Sequence, residues 1–232
     1  MPTATVAARR TVAPSASPPP LPPSPQPPEL QVKVAAQADT VVRAVQSAGL
    51  RGDTKYGQMV ERMIRAALLD PAAYRQAAED EAGTPLAAQA AVVAFLLGAV
   101  GPYLLQGRLP GVSDFIYLAL TVAAQLVSFA AGALAISYLA PKIAGVTLSF
   151  GQVFRPMAYA QSPTMLRIIP TIGTLLSIWT LLTAVAALRE INGGDTGKAV
   201  ILMLVGFVGS LVAAAVATPI ILGIAAAFVG GY

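Results

Sequence analysis

Residues 199–232 read AVILMLVGFVGSLVAAAVATPIILGIAAAFVGGY, a run of 34 residues without a single charged side chain. About 20 apolar residues already cross the hydrocarbon core of a bilayer as a helix. The run is therefore too long for one untilted crossing. We predict two membrane segments, over 199–217 and 219–231, separated at Thr218-Pro219 because proline removes a helical hydrogen bond.

Three further uncharged runs precede this one, over 85–105, 115–139 and 168–188. Each has the length that a transmembrane helix needs. The composition agrees, because 56% of the residues are hydrophobic and only 11% are charged, against about 25% charged in soluble domains. We therefore predict an all-α integral membrane bundle of four or five transmembrane helices, formed by residues 84–232.

The N-terminal third has a different character. Residues 1–28 hold ten of the 19 prolines, which exclude helix and interior strand and predict a disordered tail. Residues 29–83 predict an amphipathic helical arm on the cytoplasmic side, because apolar residues recur on one face of 53–68 with charged residues behind them. Asp70-Pro71 is typical of a helix start within this arm.

The distribution of positive charge predicts an orientation. Twelve of the 15 Lys and Arg lie in residues 1–83 or in the loop between the second and third predicted spans, and the three on the opposite side are Arg108, Arg189 and Lys198. Cytoplasmic loops carry the excess of Lys and Arg in membrane proteins. The N-terminus is therefore expected in the cytoplasm.

Several classes of activity are disfavoured by the residues that the chain lacks. It contains neither Cys nor His, the residues of common zinc sites and of most nucleophilic triads. The predicted spans also lack the charged groups of proton relays and ion-coupled transporters. We expect no enzyme activity and no catalytic, cofactor-binding or metal-binding residue. Without a long basic run, nucleic acid is not an expected partner, whereas membrane lipids are.

Small and weakly polar residues within the spans are candidates for packing between helices. Glycine and serine recur at intervals of four and allow close approach of two helices, within one chain or between copies in a homo-oligomer. An amide in the middle of a span needs a hydrogen-bond partner. The candidate packing residues are Gln125, Ser128, Gly132, Gly206, Gly209 and Ser210.

The loop after the second span supplies a candidate contact site. Ser149 and Gln152 have the spacing of a capping box, which predicts a helix lying at the membrane interface. Two arginines follow, either as anchors in the headgroup layer or as part of a contact site for a protein partner or a lipid headgroup. The residues of this candidate site are Arg155, Tyr159, Ser162 and Arg167.

Three stretches resemble the bacterial branch of the Yip family, the Rab-GTPase-interacting type of small polytopic membrane protein. They are ERMIRAALLDPAAY at 61–74, FGQVFR at 150–155 with the following AYAQSP at 158–163, and the segment from Trp179 to Ala199. The resemblance implies about five transmembrane helices, a cytoplasmic N-terminus and location in a bacterial cytoplasmic membrane. It implies no catalytic residue.

The functional expectation is a membrane scaffold or organiser of the Yip type, which recognises a protein partner or a lipid at its cytoplasmic face. Two alternatives stay open. The chain could be an accessory subunit of a larger membrane complex. It could instead be a channel or transporter for a small solute, which would need the weakly polar faces of the second and third spans to line one cavity.

Overall fold

The computed structural model describes residues 28–47, 54–105, 111–168 and 173–229, and in this part of the chain the regular structure is helical, without strands. The all-α prediction is confirmed. Residues 1–27 of the predicted tail lie outside the described residues. The helices are α1 (Pro28–Ser47), α2 (Lys55–Ala67), α3 (Pro71–Glu79), α4 (Thr84–Leu105), α5 (Val112–Ile143), α6 (Phe150–Ala160), α7 (Gly173–Ile191) and α8 (Thr196–Val229), with 3₁₀ segments at Glu81–Gly83 and Ser162–Ile168.

Three segments of the described chain are long and apolar enough to cross a membrane, as expected of a membrane protein. They are Glu81–Gly101, Asp114–Ile143 and Thr196–Ile221. A bundle of four or five spans is therefore not confirmed. The span predicted at 168–188 corresponds to α7, which is not among the three.

The last apolar run forms one helix rather than two. α8 continues through Pro219 without a break, so the predicted separation at Thr218-Pro219 is wrong. Proline removes only one intrahelical donor. In an apolar environment any other backbone conformation would leave more polar groups unpaired, and the helix is retained.

α5 and α8 pack antiparallel along a seam of small residues. At one end the Lys198 ammonium donates to the Ala144 carbonyl over 3.2 Å. At mid-length a Cβ placed on Gly132 would lie 2.3 Å from the Ser210 Oγ and 2.7 Å from the Gly206 carbonyl oxygen. The glycines thus allow two backbones within one chain to approach more closely than alanine would.

Aromatic rings join α4, α5 and α6. The Phe95 and Phe129 rings meet edge to face with centroids 5.9 Å apart. Phe129 and Phe154 follow at 5.3 Å. Because α4 leads directly into α5, these contacts fix the two helices as antiparallel neighbours with α6 beside them.

The segment from α6 to α7 forms a helical hairpin beside α4. The Thr183 hydroxyl of α7 donates to the Ala160 carbonyl of α6 over 2.7 Å. Towards the tip, a Cβ on Gly98 of α4 would meet the Thr164 Cγ2 at 2.9 Å. The 3₁₀ segment therefore lies within the length of the first apolar span.

α6 is a central helix of this bundle, not an interfacial one. Its residues from Gln152 to Ala160 are all buried, so the prediction of an interfacial helix is wrong, although the capping box of Ser149 and Gln152 is present. Small side chains such as Ala158 and Ala160 allow close packing, and the one charged residue, Arg155, finds partners inside the protein.

Both ends of the hairpin lie at the end of the bundle where α4 begins, here called the arm end. The Arg155 guanidinium at the start of the hairpin contacts Thr84. Glu190 at its other end forms a 3.3 Å ion pair with Arg75 of α3. Lys198 lies at this end too, beside the C-terminus of α5. The predicted spans put Arg189 and Lys198 on the side opposite to the arm. This prediction is wrong, because the chain between α5 and α8 forms a hairpin and not a single crossing.

The predicted arm shares a hydrophobic core with the bundle. Met63 and Tyr74 of the arm belong to the same buried cluster as Ala87, Val153 and Leu188. The Tyr74 hydroxyl, fully buried, donates to the Ala66 carbonyl over 2.6 Å. α2 and α3 are thus part of the folded unit and close its arm end.

Replacement of Gly132 by alanine should destabilise the protein by about 1–3 kcal/mol, since the added methyl meets backbone atoms of α8. The matched control is Gly223→Ala in α8, where a Cβ meets nothing within 4 Å. This control should be neutral or stabilising by up to about 1 kcal/mol, because alanine favours helix. Thermal unfolding in detergent measures both, and equal shifts would contradict the seam.

The hairpin predicts that the loops before and after it face the same side of the membrane. The chain contains no Cys. A single introduced cysteine is therefore its one thiol, and the labelling of that thiol shows which side of the membrane the residue faces. Thr147→Cys and Thr196→Cys, both at exposed residues, should react with a membrane-impermeant maleimide from one side. Gly111→Cys should react from the other. Labelling of Thr196→Cys together with Gly111→Cys would contradict the hairpin.

Candidate functional site: a polar cavity inside the bundle

Arg155 connects the arm with the hairpin. Its side chain is only 4% exposed. The guanidinium donates to the Ala77 carbonyl over 2.9 Å, to the Ala78 carbonyl at close range and to the Thr84 hydroxyl over 3.3 Å. Burial lowers the pKa of Arg155, against the opposing effect of the acidic groups Asp80 and Glu81. Arg155 therefore satisfies the free carbonyls at the C-terminus of α3.

Tyr159 and Ser162 are buried next to Arg155. They are 1% and 7% exposed, and the Arg62 guanidinium lies over the Tyr159 ring, 6.0 Å from its centroid. Arg62 in turn pairs with Asp80 over 2.7 Å. The prediction that Arg155, Tyr159 and Ser162 form an accessible contact site is wrong, because the arm covers this face of α6.

Arg167 is separated from these three and is exposed. It donates to the Ser177 hydroxyl of α7 over 2.8 Å. Its Cδ would lie 3.9 Å from a Cβ on Gly98. Of the four predicted contact residues it alone faces open space, and that space is a cavity.

The cavity has a volume of about 660 Å³ and lies among α4, α5, α7, α8 and the 3₁₀ segment after α6. A volume of this size is within the range of sites for small molecules. Apolar side chains of Phe95, Phe129, Leu181 and Leu211 form part of the wall. Ala124, Ala214 and Ile221 add further apolar surface, and the polar side chains of the wall come from four separate segments.

The helices supply one part of the polar wall. Gln125 and Ser128 of α5, Ser177 and Thr180 of α7 and Ser210 of α8 all line the cavity. The Gln125 side chain is exposed, and among the described residues it makes no hydrogen bond. Its predicted role in an interhelical hydrogen bond is therefore wrong. Ser128 faces the cavity in the same way, whereas Gly132, Gly206 and Gly209 lie in the seam of α5 and α8.

The C-cap of α6 and the 3₁₀ segment that follows it supply the other part. Gln161, Thr164 and Arg167 are spaced by three residues and all line the cavity. A 3₁₀ helix has three residues per turn, so side chains three apart are eclipsed on one face. Gln161 and Thr164 were not predicted as site residues, because the pattern of 158–167 is typical of the end of an interfacial helix followed by the entry to a span. The spacing by three residues was the available signal.

A second cavity of about 380 Å³ adjoins the first and shares part of its wall. The shared residues are Phe129, Gln161, Thr180, Leu181 and Ser210. Its other lining residues are apolar, among them Ile136, Met157 and Phe207. Together the two cavities offer a polar compartment that continues into an apolar one.

The wall can form hydrogen bonds and hold an anion. It contributes hydroxyls, amides and one guanidinium, and none of the described Asp and Glu residues lines either cavity. Such a set can bind and orient a molecule. It does not contain a nucleophile paired with a base, the arrangement that covalent catalysis uses.

Comparison of the chain with protein-family models, with curated proteins and with solved structures finds no match. The resemblance to the Yip family therefore stays a prediction.

Replacement of Arg155 by methionine should lower the free energy of unfolding by about 2–4 kcal/mol, since it leaves the Ala77 and Ala78 carbonyls buried without a donor. The variant should also become sensitive to proteolysis between α3 and α4. Arg43→Met is the control, because Arg43 also donates to a backbone carbonyl, that of Asp39, but is exposed. The role of Arg155 is refuted if both variants unfold at the same temperature as the parent protein.

Proposed function

We propose that this protein is a non-catalytic integral membrane protein that binds a small amphipathic molecule within its bundle. The supporting observation is the cavity in which polar side chains of α5, α7 and α8 converge. A cavity lined by the weakly polar faces of the second and third predicted spans is what the sequence required of a channel or transporter for a small solute. The Yip-type assignment and the absence of enzymatic activity are parts of the same proposal.

The polar residues that line the cavity are an argument for a bound ligand. An unpaired polar side chain inside a membrane raises the free energy of the folded protein. Polar groups inside a membrane are stabilised by partners in the bundle or by a bound molecule. In the described part of the chain, the side chains of Gln125, Ser128 and Ser210 make no hydrogen bond. A ligand with polar groups would supply these partners.

The apolar residues of the wall support a ligand that is also apolar. Phe95, Phe129 and Leu211 line the cavity, and the apolar second cavity adjoins it. An apolar part buried there contributes about 25 cal/mol for each Å² removed from water. The combination favours an amphipathic molecule over a hydrophilic solute.

We propose that the arm end faces the cytoplasm. Among the described Lys and Arg, all but Arg167 belong to the arm or to the arm end of the bundle. Arg189 and Lys198 lie at this end and not, as the sequence had predicted, at the opposite one. Their position increases the charge asymmetry that the positive-inside rule uses. A bacterial cytoplasmic membrane is the proposed location.

A scaffold or organiser remains the second candidate. Its support is the firm attachment of the arm, since the Trp179 indole donates to the Ala67 carbonyl over 2.8 Å and Arg75 pairs with Glu190. A rigid arm could present α1 to a protein partner. The role of accessory subunit has less support, because the small-residue ladder of α5 and α8 is used within one chain.

A pair of adjacent cysteine variants tests the cavity. In this cysteine-free chain, Ser128→Cys faces the cavity, whereas Val127→Cys is 57% exposed on the outer surface of the bundle. In membranes, a small water-soluble thiol reagent should modify Ser128→Cys at least about tenfold faster, because thiolate forms only where water reaches.

A panel of anionic, zwitterionic and neutral single-chain lipids then tests binding. At least one lipid should slow the modification of Ser128→Cys and leave Val127→Cys unchanged. Equal rates at the two positions, or no protection by any lipid of the panel, would refute the proposed function.

A further inference from the structure

Among the described residues, Arg167 is the one charged residue that lines the cavities. The 3₁₀ segment places it beside Gly98, within the first apolar span, which covers Glu81–Gly101. A cation at such a depth is costly unless an anion or a set of hydrogen bonds compensates it. Its surroundings therefore indicate what the site binds.

The protein itself compensates little of this charge. In the described part of the chain Arg167 forms no ion pair, and its polar contact is with the neutral hydroxyl of Ser177. The guanidinium carries five N–H donors, and this contact uses one of its nitrogens. The other terminal nitrogen and Nε stay available for an acceptor.

The charges of the other described arginines of the bundle have partners within the protein. Arg155 donates to two backbone carbonyls and a hydroxyl, and Arg189 donates to the Gly194 carbonyl over 3.1 Å. Arg62, Arg65 and Arg75 pair with carboxylates. Backbone carbonyls or carboxylates thus hold these five arginines, whereas the polar contact of Arg167 in the described part of the chain is a side-chain hydroxyl.

We propose that the cavity binds an amphipathic anion, with one phosphate or carboxylate group at Arg167 and a single acyl chain in the adjoining apolar cavity. This inference rests on the proposed function and adds the chemical class of the ligand. A planar guanidinium binds the oxygens of phosphate or carboxylate in a bidentate manner. Ser177, next to Arg167, places a hydroxyl beside the same group.

The chain of the ligand has a continuous path. Leu181 lines both cavities, and beyond it the second cavity is enclosed by Ile136, Met157 and Phe207. Volumes of about 660 and 380 Å³ correspond to a drug-sized molecule. This size favours one acyl chain over the two chains of an ordinary phospholipid.

Binding of three twelve-carbon probes to the full-length protein in non-ionic detergent tests the charge. Calorimetric titration with dodecyl phosphate, dodecanoate and dodecanol should show at least one anion binding tenfold or more tightly than the alcohol. Arg167→Gln should weaken binding of that anion by about 10-fold to 100-fold. The same variant should change the affinity for dodecanol by less than twofold. Lys142→Gln removes a charge at the arm end and should change neither the affinity for the anion nor the affinity for dodecanol.

Substitutions at two adjacent residues test the path of the acyl chain of the ligand. Leu181→Trp fills the junction of the cavities and should weaken binding of all three probes by tenfold or more. Leu182→Trp is the control, since Leu182 is 48% exposed and lines neither cavity, against 50% exposure at Leu181. Circular dichroism should show the same helix content for both variants.

The outcomes separate this inference from the proposed function. If Arg167→Gln weakens the binding of dodecyl phosphate more than that of dodecanoate, the ligand is assigned as a phosphate. If it weakens the binding of dodecanoate more, the ligand is assigned as a carboxylate. If dodecanol binds as tightly as both anions, or if Arg167→Gln leaves anion binding unchanged, the anionic ligand is refuted while the cavity stands as a binding site. If no probe binds and no lipid protects Ser128→Cys, the proposed function fails as well.

Discussion

The attachment of the Arg155 guanidinium to the end of α3 is the interaction on which the rest of the structure depends. Two backbone carbonyls and the Thr84 hydroxyl surround a charge that is almost fully buried. Without these partners α6 could not lie inside the bundle, because burial of an unpaired cation costs several kcal/mol. The central position of α6 in turn directs the following segment along α4 and brings α7 back to the arm end.

Local features of the sequence predicted local structure well. Asp70 caps α3 with Pro71 in the first turn, and the capping box of Ser149 and Gln152 opens α6. Uncharged runs located α4, α5 and α8, because length and hydropathy are properties of the segment itself. The continuity of α8 through Pro219 escaped prediction because it depends on the surroundings of the helix.

The candidate site was only partly predictable for the same reason. The sequence marks Arg155 and Arg167 as similar, each in a moderately polar loop, yet one joins two elements and the other faces a cavity. What distinguishes them is that Arg155 meets partners more than 70 residues earlier in the chain, whereas Arg167 bonds to Ser177, ten residues later. The polar residues of the spans were identified, but their convergence on one cavity follows from the packing of four helices.

The 3₁₀ winding of Ser162–Ile168 couples backbone geometry to the location of a charge. Successive residues turn by about 120° in a 3₁₀ helix and by about 100° in an α-helix. Rewinding of the segment into α-helix would rotate Arg167 by about 60° relative to Thr164 and carry it away from the cavity. The tighter helix has the poorer hydrogen-bond geometry. The position of the charge in the cavity thus depends on the winding of one short stretch of backbone.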